Sequence, residues 1–288
     1  MKHLPDHQKG ILAILIAAIL WSTGGIFIKF TTLAPMQISF FRGLFAAVVF
    51  LIVFKSELLK ANIFTFVNAG FYAAVLILYV IATKTTTAAN AVFLQYTAPI
   101  YVLIFEPLIN KTKYEKINII TIIVTSLGML LFFTGKLSSG NFYGNIIALL
   151  SGVAFAAFLL GMRKNKKEHQ FVSIFYGNIF VVLISTYSLF EIDTLSLSNL
   201  LMVSYLGIFQ IGVAYIIFAY GLKRVLAVEA SLISMIEPVL NPIWVLIGYG
   251  EVPSVMAIIG GVIILFAISV RAFILQSAVM KARFKNHL

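Results

Sequence analysis

ILAILIAAILWSTGGIFIKF, residues 11–30, runs to Ile28 without a charge and meets its first at Lys29. A helix of that length is about 30 Å long, the thickness of a bilayer's hydrocarbon core. The stretch has no alternation of apolar and polar residues, so a membrane β-strand does not fit and a helix in lipid does. Nine further apolar segments follow at 37–54, 64–82, 87–109, 117–134, 142–162, 171–190, 199–220, 226–248 and 254–274. The 288-residue chain is 61% hydrophobic and only 11% charged. Soluble domains carry roughly 25% charged residues, so a water-soluble globule is ruled out.

Charge placement orients the segments. The net charge of +11 resembles a nucleic-acid signal, but the basic residues sit in short clusters between apolar runs, as the positive-inside bias requires. With a cytoplasmic N-terminus, the inside set comprises Lys2, Lys9, Lys55, Lys60, Lys111, Lys113, Lys116, Arg163, Lys164, Lys166, Lys167, Lys223, Arg224, Arg271, Lys281, Arg283 and Lys285. Only Lys84 and Lys136 fall outside, with Glu191, Asp193 and Glu251. No nucleic-acid partner is expected. Lys2 and Lys9 resemble a signal peptide's basic start, but the apolar run is longer than such a peptide's and no A-x-A-like site follows, so an uncleaved first span is expected.

Internal similarity points to duplication. Laying Pro99 over Pro238, an offset of 139, also stacks Ala88 on Ala227, Ala91 on Ala230 and Ile104 on Ile243. A unit with an odd number of spans enters the membrane upside down the second time. The expected fold is therefore an all-α integral membrane protein of ten transmembrane helices in two inverted five-helix repeats, with both termini cytoplasmic. Its parts are a cytoplasmic tail at 1–10, a first repeat at 11–137, a second at 138–274 and a basic cytoplasmic tail at 275–288. Two such repeats can exchange shapes around a midplane cavity, which is alternating access.

The residues W-S-T-G-G-I-F-I-K-F at 21–30, Arg42, the A-x-x-A spacing ahead of Pro99, and A-V-E-A-S-L-I-S-M-I-E-P-V-L-N-P-I-W-V-L-I-G-Y-G-E at 227–251 resemble the EamA-type members of the drug/metabolite transporter superfamily. The most specific elements are Glu237-Pro238 and, at the outer end of that span, Gly250-Glu251. The resemblance implies a secondary transporter in a bacterial inner (plasma) membrane that exports amino acids or related amphipathic metabolites. The chain departs from the pattern at 110–115, where N-K-T-K-Y-E stands in place of a G-E pair and Glu115 is the nearest counterpart.

Polar residues at membrane depth are costly, about 2.5 to 3.5 kcal/mol for an acid at a helix centre, and so point to function. Ser231, Ser234, Glu237, Asn241 and Trp244 fall at helical spacing on one face of the ninth span. Glu237 is expected either to fix packing through a hydrogen bond or to take a substrate amine or a coupling proton. Pro238 and Pro242, like Pro99, remove backbone bonds and are candidate hinges. Candidate binding residues are Trp21, Tyr72, Tyr79, Gln95, Tyr96, Tyr205, Gln210, Ser234, Glu237 and Asn241. Trp21 is read as cavity wall or filler, and Tyr96 as cavity or packing. Arg42 either snorkels to the surface or pairs with an acidic group or anionic substrate, and Glu106 suits a solvated or gating carboxylate. Gly144, Ala148, Gly152 and Ala156 on the sixth span read as a packing seam.

Enzyme chemistry finds no support. The histidines at 3, 7, 169 and 287 lie in tails or one loop, and no phosphate loop, dinucleotide fingerprint or zinc motif is present. The absence of Cys removes Cys-based metal sites and thiol catalysis, and no metal site or cofactor is expected. Expected partners are a small-molecule substrate, membrane lipids and protons as coupling ion, with a monomer as the working state and a dimer as the alternative. A channel or lipid scramblase with a polar pore is the competing function.

Overall fold

The computed structural model describes residues 5–55, 57–110, 116–134, 139–164, 170–192, 194–225, 230 and 233–285. Every regular element among them is helical: α1 (Asp6–Ser22), α2 (Gly24–Phe30), α3 (Pro35–Phe54), α4 (Ile63–Thr85), α5 (Ala88–Gln95), α6 (Ala98–Asn110), α7 (Lys116–Leu131), α8 (Ser139–Lys164), α9 (Gln170–Ser185), α10 (Leu197–Tyr205), α11 (Ala214–Leu222), α12 (Ile236–Tyr249) and α13 (Val255–Lys285). A π-helical segment, Leu206–Val213, joins α10 to α11. Helix starts follow side-chain chemistry: Asn62, Thr87 and Ser196 accept from the amides of Thr65, Asn90 and Asn199. Gly250, at φ 76°, ends α12 in the left-handed conformation that glycine tolerates best.

Among the described residues, eight helical stretches are long and apolar enough to cross a membrane: Asp6–Phe30, Pro35–Phe54, Ile63–Thr85, Ala88–Leu108, Asn141–Met162, Phe171–Glu191, Leu197–Leu222 and Val255–Ile274. The segment at 117–134 becomes the 16-residue α7. In the segment at 226–248, residues 226–229, 231 and 232 lie outside the described residues, and α12 contributes 14 residues. The surface facing outward is apolar, with Ile247 74% exposed and Phe266 68% exposed. The buried set includes Ser22, Asn145, Ser151, Asn178 and Asn241. An apolar exterior around a polar-dotted interior makes the chain a multi-pass membrane protein.

Packing in the two halves corresponds. α4 lies against α8 and α9, while α11 lies against α1 and the π segment against α3. Two pairs join like-placed spans of the halves, α3 with α9 and α7 with α13. The closest approaches use missing side chains. A Cβ on Gly144 would meet Thr86 Cβ at 2.7 Å, one on Gly152 would meet the Leu94 carbonyl at 2.9 Å, and one on Gly161 would meet Asn68 Oδ1 at 2.2 Å. The small-residue face of α8 therefore packs against α4 and α5. Gly152→Val is expected to destabilise the protein by about 1–3 kcal/mol through overpacking, measured as a lower unfolding midpoint of the detergent-purified chain.

Candidate functional site

Two spans are broken at corresponding places. α5 stops at Gln95 and α6 starts at Ala98, because Pro99 has no N–H for the carbonyl of Gln95. α12 starts at Ile236 after a turn at Met235, and Pro238 likewise cannot bond the carbonyl of Ser234. Tyr96, which ends α5, and Met235, which opens α12, are separated by the offset that relates Pro99 to Pro238. The breaks face one another: Tyr96 Oη donates to Glu237 Oε2 at 2.7 Å.

From Glu237 the polar face of α12 continues into two other spans. Asn241 Nδ2 donates to Tyr79 Oη at 3.1 Å, and Trp244 Nε1 donates to Ser22 Oγ at 2.8 Å. The Asn241 carboxamide is fully buried because α2 presents no side chain there; a Cβ on Gly25 would lie 2.2 Å from Asn241 Oδ1. That Oδ1 has no hydrogen-bond partner. Ser234 Oγ bonds back to the Ala230 carbonyl at 2.8 Å.

A second polar group forms where α3 crosses the π segment. Gly207 permits the crossing, since a Cβ there would lie 2.5 Å from Phe45 Cβ and 2.7 Å from the Arg42 carbonyl. The widened π turn carries Gln210, whose Oε1 accepts from Arg42 Nη2 at 2.7 Å and whose Nε2 donates to the Trp21 carbonyl at 3.2 Å. Arg42 is 4% exposed, so its side chain points into the bundle and does not snorkel. The Trp21 ring meets Tyr215 and Phe218 at 5.1 and 4.9 Å between centroids, and Tyr215 meets Tyr72 at 6.1 Å. Tyr72, Tyr79, Tyr215 and Glu237 lie within electrostatic reach of the Arg42 charge, so the two polar groups act on each other. Tyr205 lies at their edge, its hydroxyl 3.1 Å from Thr23 Oγ1 and its ring against Phe27.

Three of the sequence candidates lie elsewhere. Gln95 Nε2 donates to Ser151 Oγ on α8 at 2.7 Å, and Ser151 in turn bonds the Val75 carbonyl, so Gln95 ties three helices together away from Glu237. Glu106 lies further along α6, about 15 Å from the break by helical rise. Pro242 is buried against an apolar groove of ≈ 260 Å³ that α12 shares with Phe93 of α5 and with α13.

One end of the bundle is tied by charge. Lys29 Nζ, at the end of α2, pairs with Glu251 Oε2 at 2.6 Å and donates to the Thr86 carbonyl at 2.8 Å. Glu251 Oε1 accepts from the Ala88 amide at the start of α5 at 2.6 Å, a helix terminus that favours a carboxylate. Lys84 donates to the Thr31 carbonyl beside it. Around these, Asn145 Oδ1 accepts from Thr86 and Asn90, and Asn199 links Thr31 with Thr32. Sequence reasoning passed over Ser151, Asn145, Asn178 and Asn199; the available signal was a single Ser or Asn in an apolar run. Lys29 stands out in the sequence only as the first charge after the opening apolar run, and the fold reveals Glu251 as its partner.

The family model described as the EamA-like transporter family matches the chain twice, over residues 8–134 and 142–272. An uncharacterized transporter of Clostridium kluyveri is 27% identical over 90% of this chain and 91% of its own length. One from Archaeoglobus fulgidus is 25% identical over 89% and 93%. Human solute carrier family 35 member G1 is 24% identical over 95% of this chain and 81% of its own. A protein of solved crystal structure shares the fold with a TM-score of 0.65 at 17% identity, covering 94% of this chain and 99% of that one. The match extends over both halves of the sequence, and the chain belongs to the EamA-like transporter family.

Proposed function

We propose that the chain is a secondary carrier that moves a small amphipathic metabolite, an amino acid or a related compound, outward across a bacterial inner membrane by alternating access. On this reading ten spans form two inverted five-helix repeats, 11–137 and 138–274, with the tails 1–10 and 275–288 in the cytoplasm. The observation that carries the proposal is the hydrogen bond from Tyr96 to Glu237, because it joins the broken span of one half to the broken span of the other. Breaks at mid-span free backbone and side-chain groups for a solute, and Pro99 and Pro238 serve as the hinges. The exchanged packing of the halves and the double family match support the repeat.

Glu237 takes the coupling proton or the substrate's amine, with Trp21, Tyr72, Tyr79, Tyr96, Gln210 and Asn241 lining the site. The Lys29–Glu251 pair closes the outer end. Saturable, accelerated counterflow of a labelled metabolite in proteoliposomes tests the carrier reading. Linear, unsaturable flux would favour a channel, and lipid flip without solute exchange a scramblase.

Two substitutions probe the parts. Glu237→Gln keeps the shape of the side chain but releases no proton; it is expected to lower proton-driven exchange about tenfold or more, near 1.4 kcal/mol, and to flatten its pH profile. Unchanged rate and pH profile would remove Glu237 from coupling. For the outer end, the chain's lack of Cys allows a single reporter, Ala89→Cys, at a position 1% exposed. Adding Lys29→Ala is expected to raise its rate of labelling by a hydrophilic maleimide about tenfold, the effect of losing ~1.4 kcal/mol from the closed state.

A further inference from the structure

Arg42 is a buried cation with spare donors. Its Nη2 is held by Gln210, while Nε and Nη1 are both inaccessible and without a hydrogen-bond partner. All three nitrogens belong to one planar group, so the Gln210 bond fixes the orientation of the two donors that remain unpaired. Glu237 lies within electrostatic reach of Arg42, yet its carboxylate is engaged by Tyr96 and makes no ion pair with Arg42.

The neighbourhood repeats this deficit. Trp21 Nε1 is buried and unpartnered, and the buried Tyr72 hydroxyl lies near Asn178 and Tyr215 without a well-formed hydrogen bond to either. Trp21 is linked to Arg42 through Gln210, and Tyr72 joins Trp21 through the ring of Tyr215. The guanidinium and indole nitrogens can only donate, and the phenol can donate as well. Buried polar atoms in proteins are almost always satisfied, by the protein, by water or by a ligand. The donor-only nitrogens left free on Arg42 and Trp21, one group of them on a cation that no carboxylate pairs with directly, are matched by an acceptor-only anion.

We propose that the transported solute carries a carboxylate and that Arg42 is the residue that binds it, with the Trp21 indole and the Tyr72 hydroxyl as flanking donors. A carboxylate fits better than a phosphate ester. Its single charge is matched by Arg42, whereas a phosphate adds a second negative charge in a region that already holds Glu237, and uncompensated charge is costly away from water. This substrate class rests on the carrier reading above and narrows it.

The test is the unfolding midpoint of the purified full chain against increasing benzoate, succinate and glycine, each beside its carboxamide analogue (benzamide, succinamide and glycinamide), with phenyl phosphate as a further arm. A ligand that binds the folded state raises its stability in proportion to ln(1 + [L]/Kd). At least one carboxylate is expected to raise the midpoint saturably while its amide does not. Arg42→Gln is expected to abolish the response, and Arg42→Lys, which keeps the charge but loses the fork, to weaken affinity at least about tenfold. Equal responses to acid and amide, a response to phenyl phosphate alone, no response to any carboxylate, or wild-type affinity in Arg42→Lys would each overturn the proposal. If Arg42→Gln does not fold, the acid and amide pairs and the Lys variant decide. Counterflow separates the two readings. Exchange of a solute without a carboxylate, undiminished in Arg42→Lys, keeps the carrier and removes the carboxylate; no exchange of any solute removes the carrier.

Discussion

A carboxyl group in the middle of a membrane helix has no water to turn to, so its placement constrains everything around it. Here the donor is the Tyr96 hydroxyl, and it is available because its own helix stops at Gln95. An unbroken fourth span would carry Tyr96 along a regular spiral. The proline pattern that interrupts both spans thus creates the acid's partner as well as the acid's setting. Asn241 and Trp244 follow on the same face and fix α12 against α4 and α1. One polar ridge therefore fastens the ninth span to three different helices.

The second constraint is imposed from the other side of the bundle. Arg42 is fixed by a glutamine that reaches it because the eighth span widens into a π turn and because Gly207 lets α3 come close. Extra residues in a helical turn are tolerated in lipid only when their backbone groups still find partners. The π segment satisfies this while turning Gln210 to touch α3 and α1 together. The setting of Glu237 and Arg42 is thereby a product of backbone irregularity, with proline breaks on one side and a widened π turn on the other.

Much of this was legible in the sequence. Apolar run length gives the spans, and the helical spacing of Glu237, Asn241 and Trp244 gives one polar face. Periodicity says which residues share a face, but it does not say what lies opposite. Gln95 occupies the repeat position of Ser234, yet it turns to Ser151, since a long amide can reach a neighbouring helix that a serine cannot. Lys29 and Glu251 stand more than two hundred positions apart, and only the turn after α12 brings them together. The π turn left no trace in hydropathy, because it changes hydrogen-bond register and leaves the apolar composition as it was.

The Lys29–Glu251 pair also behaves differently according to what surrounds it. With side chains only 11% and 17% exposed, the ions attract through a poorly polarisable medium. At a separation of 4 Å such charges interact by about 4 kcal/mol near a protein surface but by about 1 kcal/mol in bulk water. Water entering a loosening end weakens the very bond that resists its entry, and water leaving strengthens it. Dielectric feedback of this kind disfavours a half-separated pair, favouring ions that are either dry and in contact or wet and apart.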